Sequence, residues 1–209
     1  MKTNQELKNA ALAALKGNWK PAVLVSLIVM AISCIPALLG QSSEGLGALL
    51  SMAISYGVVL PLTVGLYASF RKLFVGQEVD LIKDSFGTAF NAWGHNVGGM
   101  LLMAVYTLLW SLLLIIPGII KYFSYAMTPF ILADKPELTA NEAIELSMKM
   151  MDGHRLDFFI LCLSFIGWSI LAIFTLCIGY LWLAPYMYTT MAAFYEDVKA
   201  EYESKTVVA

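Results

Sequence analysis

One basic residue of this sequence lies within an apolar run. Lys121 follows Ile116-Pro117-Gly118-Ile119-Ile120, and Tyr125 and Thr128 come after it at helical spacing. A second hydroxyl-rich set, Tyr186, Thr189 and Thr190, occupies another apolar run. An ammonium backed by hydroxyls suits an anionic headgroup, whose phosphate oxygens accept charge-assisted hydrogen bonds. An ionisable group in a membrane segment is a functional candidate by default. Both sets begin just past a turn signal, Pro117-Gly118 and Gly179, so together they would form one outward-opening polar groove for lipid or substrate. The plainer alternative is that Lys121 snorkels to the outer interface, with Glu44 in reach, while the hydroxyls tie helices together.

Other chemistry finds little support. His95 and His154 lie apart, each just after a glycine, and no H-E-x-x-H, G-x-S-x-G or phosphate-loop pattern occurs. His154 stands near Asp152 and Asp157, but no second histidine is near it in sequence. Cys34, Cys162 and Cys177 all fall in apolar runs without ligand spacing and read as small packing residues. No base is placed against a nucleophile. The expectation is a non-enzyme with no cofactor, no metal and no catalytic residue.

These residues must be carried by membrane helices. Of 209 residues, 59% are hydrophobic and only 13% charged, against roughly 25% charged in soluble domains. The mean hydropathy is +0.73. The net charge of −2 provides no basic field for nucleic acid. The pattern predicts an all-α membrane protein of six transmembrane helices in three hairpins. The spans are Pro21–Leu39, Leu46–Phe70, Val97–Ile116, Ile119–Leu132, Phe158–Ile178 and Tyr180–Phe194. Ile119–Leu132 is short, so it either crosses or is re-entrant. The first run exceeds a signal-peptide core in length and reads as a retained span.

Before each hairpin comes an amphipathic helix: residues 5–16, then 82–93 with Ile82, Phe86, Ala89, Phe90 and Trp93, then 140–151. Thr139 and Glu142 fit a capping box. Such helices are expected at the cytoplasmic interface. Gly17, Gly94 and Gly153 follow them, which suggests one membrane domain over 1–209 built from repeat units 1–76, 77–136 and 137–203. The closest internal match pairs Ile54, Tyr56, Pro61 and Phe70 with Ile178, Tyr180, Pro185 and Phe194, at a constant offset of 124. Gly57, Pro61 and Gly65 belong to a small-residue stripe that invites close helix packing, within the chain or between copies. With six spans, 12 of the 13 basic residues face one side, which puts both termini in the cytoplasm of a cell membrane.

The C-terminal part resembles a bacterial integral membrane family, domain of unknown function 975. The carriers are Ile116 to Lys121, Tyr125, Ala143-Ile144-x2-Ser147, Gly153, Phe159 to Leu161, Ser164 to Trp168, Leu181-Trp182, Pro185-Tyr186 and Thr190-x-Ala192-x-Phe194-Tyr195. The resemblance implies a multi-pass inner-membrane protein and brings no assigned activity. The expected function is a non-enzymatic role in binding lipid or protein in the envelope, with a small transporter or channel as the alternative. Membrane lipids, a second copy or another membrane protein are the expected partners.

Overall fold

A computed structural model of the chain describes residues 2–42, 45–175 and 178–208. Glu44, read above as within reach of Lys121, and Cys177, read as a packing residue, lie outside the described residues. Every regular element among them is helical.

Three amphipathic helices open the three parts of the chain, each with its own start signal. In α1 (Asn4–Leu15) and α9 (Ala140–Met150), Thr3 and Thr139 form full capping boxes with Glu6 and Glu142. In α5 (Leu81–Asn91), the Asp80 carboxylate accepts from the N–H groups of Ile82 and Lys83, both at 3.2 Å. Gly17, Gly94 and Gly153 each stand at the same distance past these caps. Gly17 and Gly153 have φ of +90° and +85°, a left-handed turn that favours glycine. Gly94 instead sits in the first turn of a following helix.

Four stretches are long and apolar enough to cross a membrane. The first, Trp19–Gly40, belongs to α2 (Trp19–Ser42). The second, Leu46–Phe74, joins α3 (Leu46–Ile54), a π-helical turn (Ser55–Val59) and α4 (Leu60–Phe74). The third is α6 (Trp93–Leu113), and the fourth, Arg155–Phe174, joins α10 (Arg155–Leu163) and α11 (Ile166–Phe174). These match four of the expected spans.

The other two expected spans differ in form. Ile119–Leu132 is divided between α7 (Ile115–Ser124) and α8 (Thr128–Asp134), with a break at Tyr125 to Met127. Pro129 lies at the start of α8, where its missing N–H costs nothing. Tyr180–Phe194 is the first half of α12 (Tyr180–Val208), whose later turns carry Glu196, Asp197 and Lys199. The turn expected at Pro117-Gly118 lies earlier, at Leu114, which is extended (φ −160°, ψ 140°). Pro117 is tolerated in the first turn of α7. Gly118 permits a close return, since a Cβ there would come within 2.7 Å of Ser111 Cα.

The amphipathic helices pack lengthwise on other helices rather than lying apart from the bundle. Leu7, Ala11 and Leu15 of α1 are buried, with α1 against α12. Likewise α5 packs on α4, and α9 on α8. The core forms where α4, α8 and α12 meet: Phe130 of α8 stacks on Tyr195 of α12 at 4.9 Å, and Tyr67 of α4 tilts against Phe130 at 4.7 Å. The long helices are inverted relative to a soluble core. In an 18-residue apolar window of each of the four stretches only 22–28% of the residues are buried, and Leu112 and Phe174, at the ends of α6 and α11, are 74% and 81% exposed.

Candidate functional site

Lys121 lies in the last turn of α7. Its ammonium sits 4.9 Å from the Trp110 ring centre and 3.5 Å from Met148 Sδ, so an aromatic face already meets the charge. Tyr125, at the α7–α8 break, is buried. Thr128 is buried as well, and its Oγ1 has no hydrogen-bond partner among the described residues. On α12, Thr189 Oγ1 donates to the Pro185 carbonyl at 2.7 Å and Thr190 Oγ1 to the Tyr186 carbonyl at 2.8 Å. Both hydroxyls thus turn back on their own helix. The Tyr186 ring meets Phe165 edge-on at 5.3 Å.

The two tyrosines of the predicted set line different cavities. Tyr125 lines one of about 220 Å³ together with Thr63, Tyr67, Tyr122, Phe130 and Met191. Tyr186 lines another of about 400 Å³ with Leu12, Trp19, Trp168, Trp182 and Leu183. The first is tyrosine-rich and lies beside the helix break. The second is nearly all apolar and lies between α1, the start of α2, α11 and α12.

A charge cluster that the sequence reading did not single out joins the ends of α4 and α8 to the middle of α12. Arg71 Nη1 is 2.6 Å from Asp134 Oδ1, and Arg71 Nε pairs with Glu196. Lys199 Nζ is 2.6 Å from Asp134 Oδ2, and the Tyr195 hydroxyl donates to the same oxygen at 2.9 Å. The Arg71 and Asp134 side chains are only 18% and 13% exposed. Burial works against the Asp134 charge. The Lys199 hydrogen bond, the Arg71 guanidinium and the Tyr195 hydroxyl outweigh it and hold the carboxyl below its usual range. The signal that pointed here was the offset of 124. Tyr67 and Met191, separated by that number, meet at 3.9 Å, and Arg71 and Glu196 differ from it by one. The Tyr67–Met191 and Arg71–Glu196 contacts advance together along both helices, so α4 and α12 run side by side as parallel helices.

The small-residue stripe divides in two. A Cβ on Gly65 would collide with the Ser85 carbonyl, so α5 reaches the α4 backbone there. Beside it Ser85 Oγ donates to Ser69 Oγ at 2.9 Å. Pro61 is buried in the first turn of α4. Gly57 has nothing within 4 Å of a built Cβ, and its carbonyl accepts from Trp93 Nε1 at 2.7 Å. The π turn around Gly57 leaves backbone groups out of the regular ladder, and the indole satisfies one. Cys34 is exposed and Cys162 half-buried on the tyrosine-rich cavity.

The model of one protein family, described as "Protein of unknown function (DUF975)", matches residues 85–202. No curated protein and no solved structure matches the chain.

Proposed function

The chain belongs to the family Protein of unknown function (DUF975), and from that premise we propose that it is a non-enzymatic, multi-pass protein of a bacterial cytoplasmic membrane that binds lipid or a partner membrane protein. One observation carries this reading: the four long helices turn most of their apolar residues outward. A soluble protein rarely leaves apolar patches above a few hundred Å² uncovered, whereas lipid covers them at no cost. The paired charges between the ends of α4 and α8 and the middle of α12 support a structural use of those groups.

On this reading α7–α8 and the first half of α12 complete six crossings in three hairpins. Both termini are cytoplasmic, because 12 of 13 basic residues then share that side. The units 1–76, 77–136 and 137–203 are supported by the common distance from cap to glycine and by α1, α5 and α9 each packing on α12, α4 and α8.

Native mass spectrometry of gently solubilised protein tests the proposal. Retained lipid, a second copy or a co-purifying membrane protein is expected. A bare monomer in every mild detergent would count against it. The Lys121→Met variant tests the groove of Lys121, Tyr125, Thr128, Tyr186, Thr189 and Thr190. Loss of anionic lipid with folding kept places the site there, and unchanged retention removes it.

A specific feature favours a second reading, a small transporter or channel. The tyrosine-rich cavity adjoins the interruption between α7 and α8, and discontinuous helices commonly mark substrate sites in transporters. Solute flux through proteoliposomes, abolished when Tyr125→Phe and Thr128→Val are combined, is the outcome that would establish it.

A further inference from the structure

We propose that the 400 Å³ cleft between α1, α2, α11 and α12 holds one acyl chain of an anionic phospholipid, whose headgroup phosphate is bound by Lys16 and Lys20. The inference rests on the membrane-embedded, lipid-binding reading above and names the lipid and the place.

The lining selects an acyl chain. Leu12, Trp19, Trp168, Trp182 and Leu183 supply apolar surface. The polar atom of Thr175 is already used, donating to the Ala172 carbonyl at 2.7 Å and accepting from the Gly179 N–H at 2.9 Å. A polar ligand would therefore find little to bond, and a hydrocarbon chain needs nothing. Trp168 and Trp182 are more than half exposed at its edge, so the cleft opens sideways along helices already assigned to lipid.

The charge pattern selects an anionic headgroup. The cleft is built from two stretches, 7–43 and 158–195, and neither contains an aspartate or glutamate. Their charged residues are Lys8, Lys16 and Lys20, all from the first stretch. Lys8 is occupied: its ammonium donates to the Ser164 carbonyl at 3.2 Å and lies 4.3 Å from the Phe165 ring centre. That bond meets a carbonyl freed where α10 gives way to α11, and it holds α1 against the cleft wall. Lys16 and Lys20 are exposed and flank Trp19, one before the Gly17 turn and one after it. Two exposed ammonium groups close in the chain to Trp19 of the apolar slot suit a phosphate joined to a fatty chain. Near a membrane surface each lysine strengthens binding of an anionic lipid about fivefold.

Tryptophan quenching tests this in the full-length protein. The protein is reconstituted in unlabelled phosphatidylcholine vesicles with a dibrominated lipid as minor component, either phosphatidylglycerol or phosphatidylcholine. Three of its five tryptophans, Trp19, Trp168 and Trp182, line the cleft. The brominated phosphatidylglycerol should quench more strongly, and the excess should vanish in the Lys16→Gln/Lys20→Gln variant, whose substitutions are exposed and leave helix content unchanged. A preference that survives in that variant overturns the lysine assignment. Equal quenching by both lipids overturns the anionic headgroup but leaves lipid binding standing. Quenching by neither overturns the cleft and the membrane-embedded reading together.

Discussion

Gly65 and Gly57 stand eight residues apart on the same stripe, yet their substitutions should behave differently. Gly65→Leu drives a side chain into the Ser85 carbonyl, and overpacking of this kind costs about 1–3 kcal/mol. Gly57→Leu meets open space and should shift the melting temperature in detergent hardly at all. A scanning-fluorimetry comparison of the two variants checks this; equal losses would mean that the α4–α5 contact is not what Gly65 serves. The regular spacing showed that small residues line one face. It did not show which backbone arrives there, because that depends on α5 turning back along α4 after Gly76. The hydroxyls of Thr189 and Thr190 make a similar point. Residue type and spacing indicate polar groups at helical intervals, but not whether they face a neighbour or their own preceding turn.

Among the elements, α4 and α12 are held side by side by aromatic contacts above and ion pairs below. Removing one member of the cluster leaves others poorly compensated, so Arg71→Met and Asp134→Asn should each destabilise the fold by about 1–3 kcal/mol, less than for a fully buried pair because the groups keep some solvent. A double-mutant cycle between the two sites should return a coupling energy clearly different from zero. Asp134 also sets a pH dependence. Its folded pKa lies below the unfolded value of about 3.9. The stability it contributes is therefore present above that unfolded value and lost as pH falls through the folded one. Acid denaturation followed by circular dichroism should shift to lower onset in a variant that removes this step, Asp134→Asn, relative to its own stability at neutral pH. Apolar stripes made α1, α5 and α9 readable, with a capping box added at α9, since those signals are local. The cluster was not readable, since it joins residues from three distant segments, although the offset of 124 already hinted that α4 and α12 correspond.

For the whole molecule, reporter fusions at Lys16, Lys83, Lys149 and Lys205 should all report the cytoplasm if the six-crossing proposal holds. Far-side signals at Lys149 and Lys205 together would mean that α7–α8 turns back without crossing, leaving five spans. The four long apolar stretches were legible because hydrocarbon thickness imposes a length and a composition. α7–α8 and α12 were harder to read, because their backbone breaks and polar turns are supported by neighbouring helices rather than by their own sequence. The exposed ends of α6 and α11 carry a further consequence, for how the protein is made. Residues 96–120 and 158–195 contain no aspartate, glutamate, lysine or arginine. A charged side chain at a helix centre adds about 2.5–3.5 kcal/mol to insertion, and these two hairpins meet no such barrier at their leading ends. On the six-crossing proposal each would enter the bilayer as a closed pair while the rest of the chain is still being synthesised, with no hydrophilic segment to haul across. Ribosome-bound chains ending shortly after Asp157 should already resist alkaline extraction from vesicles, before α11 and α12 exist.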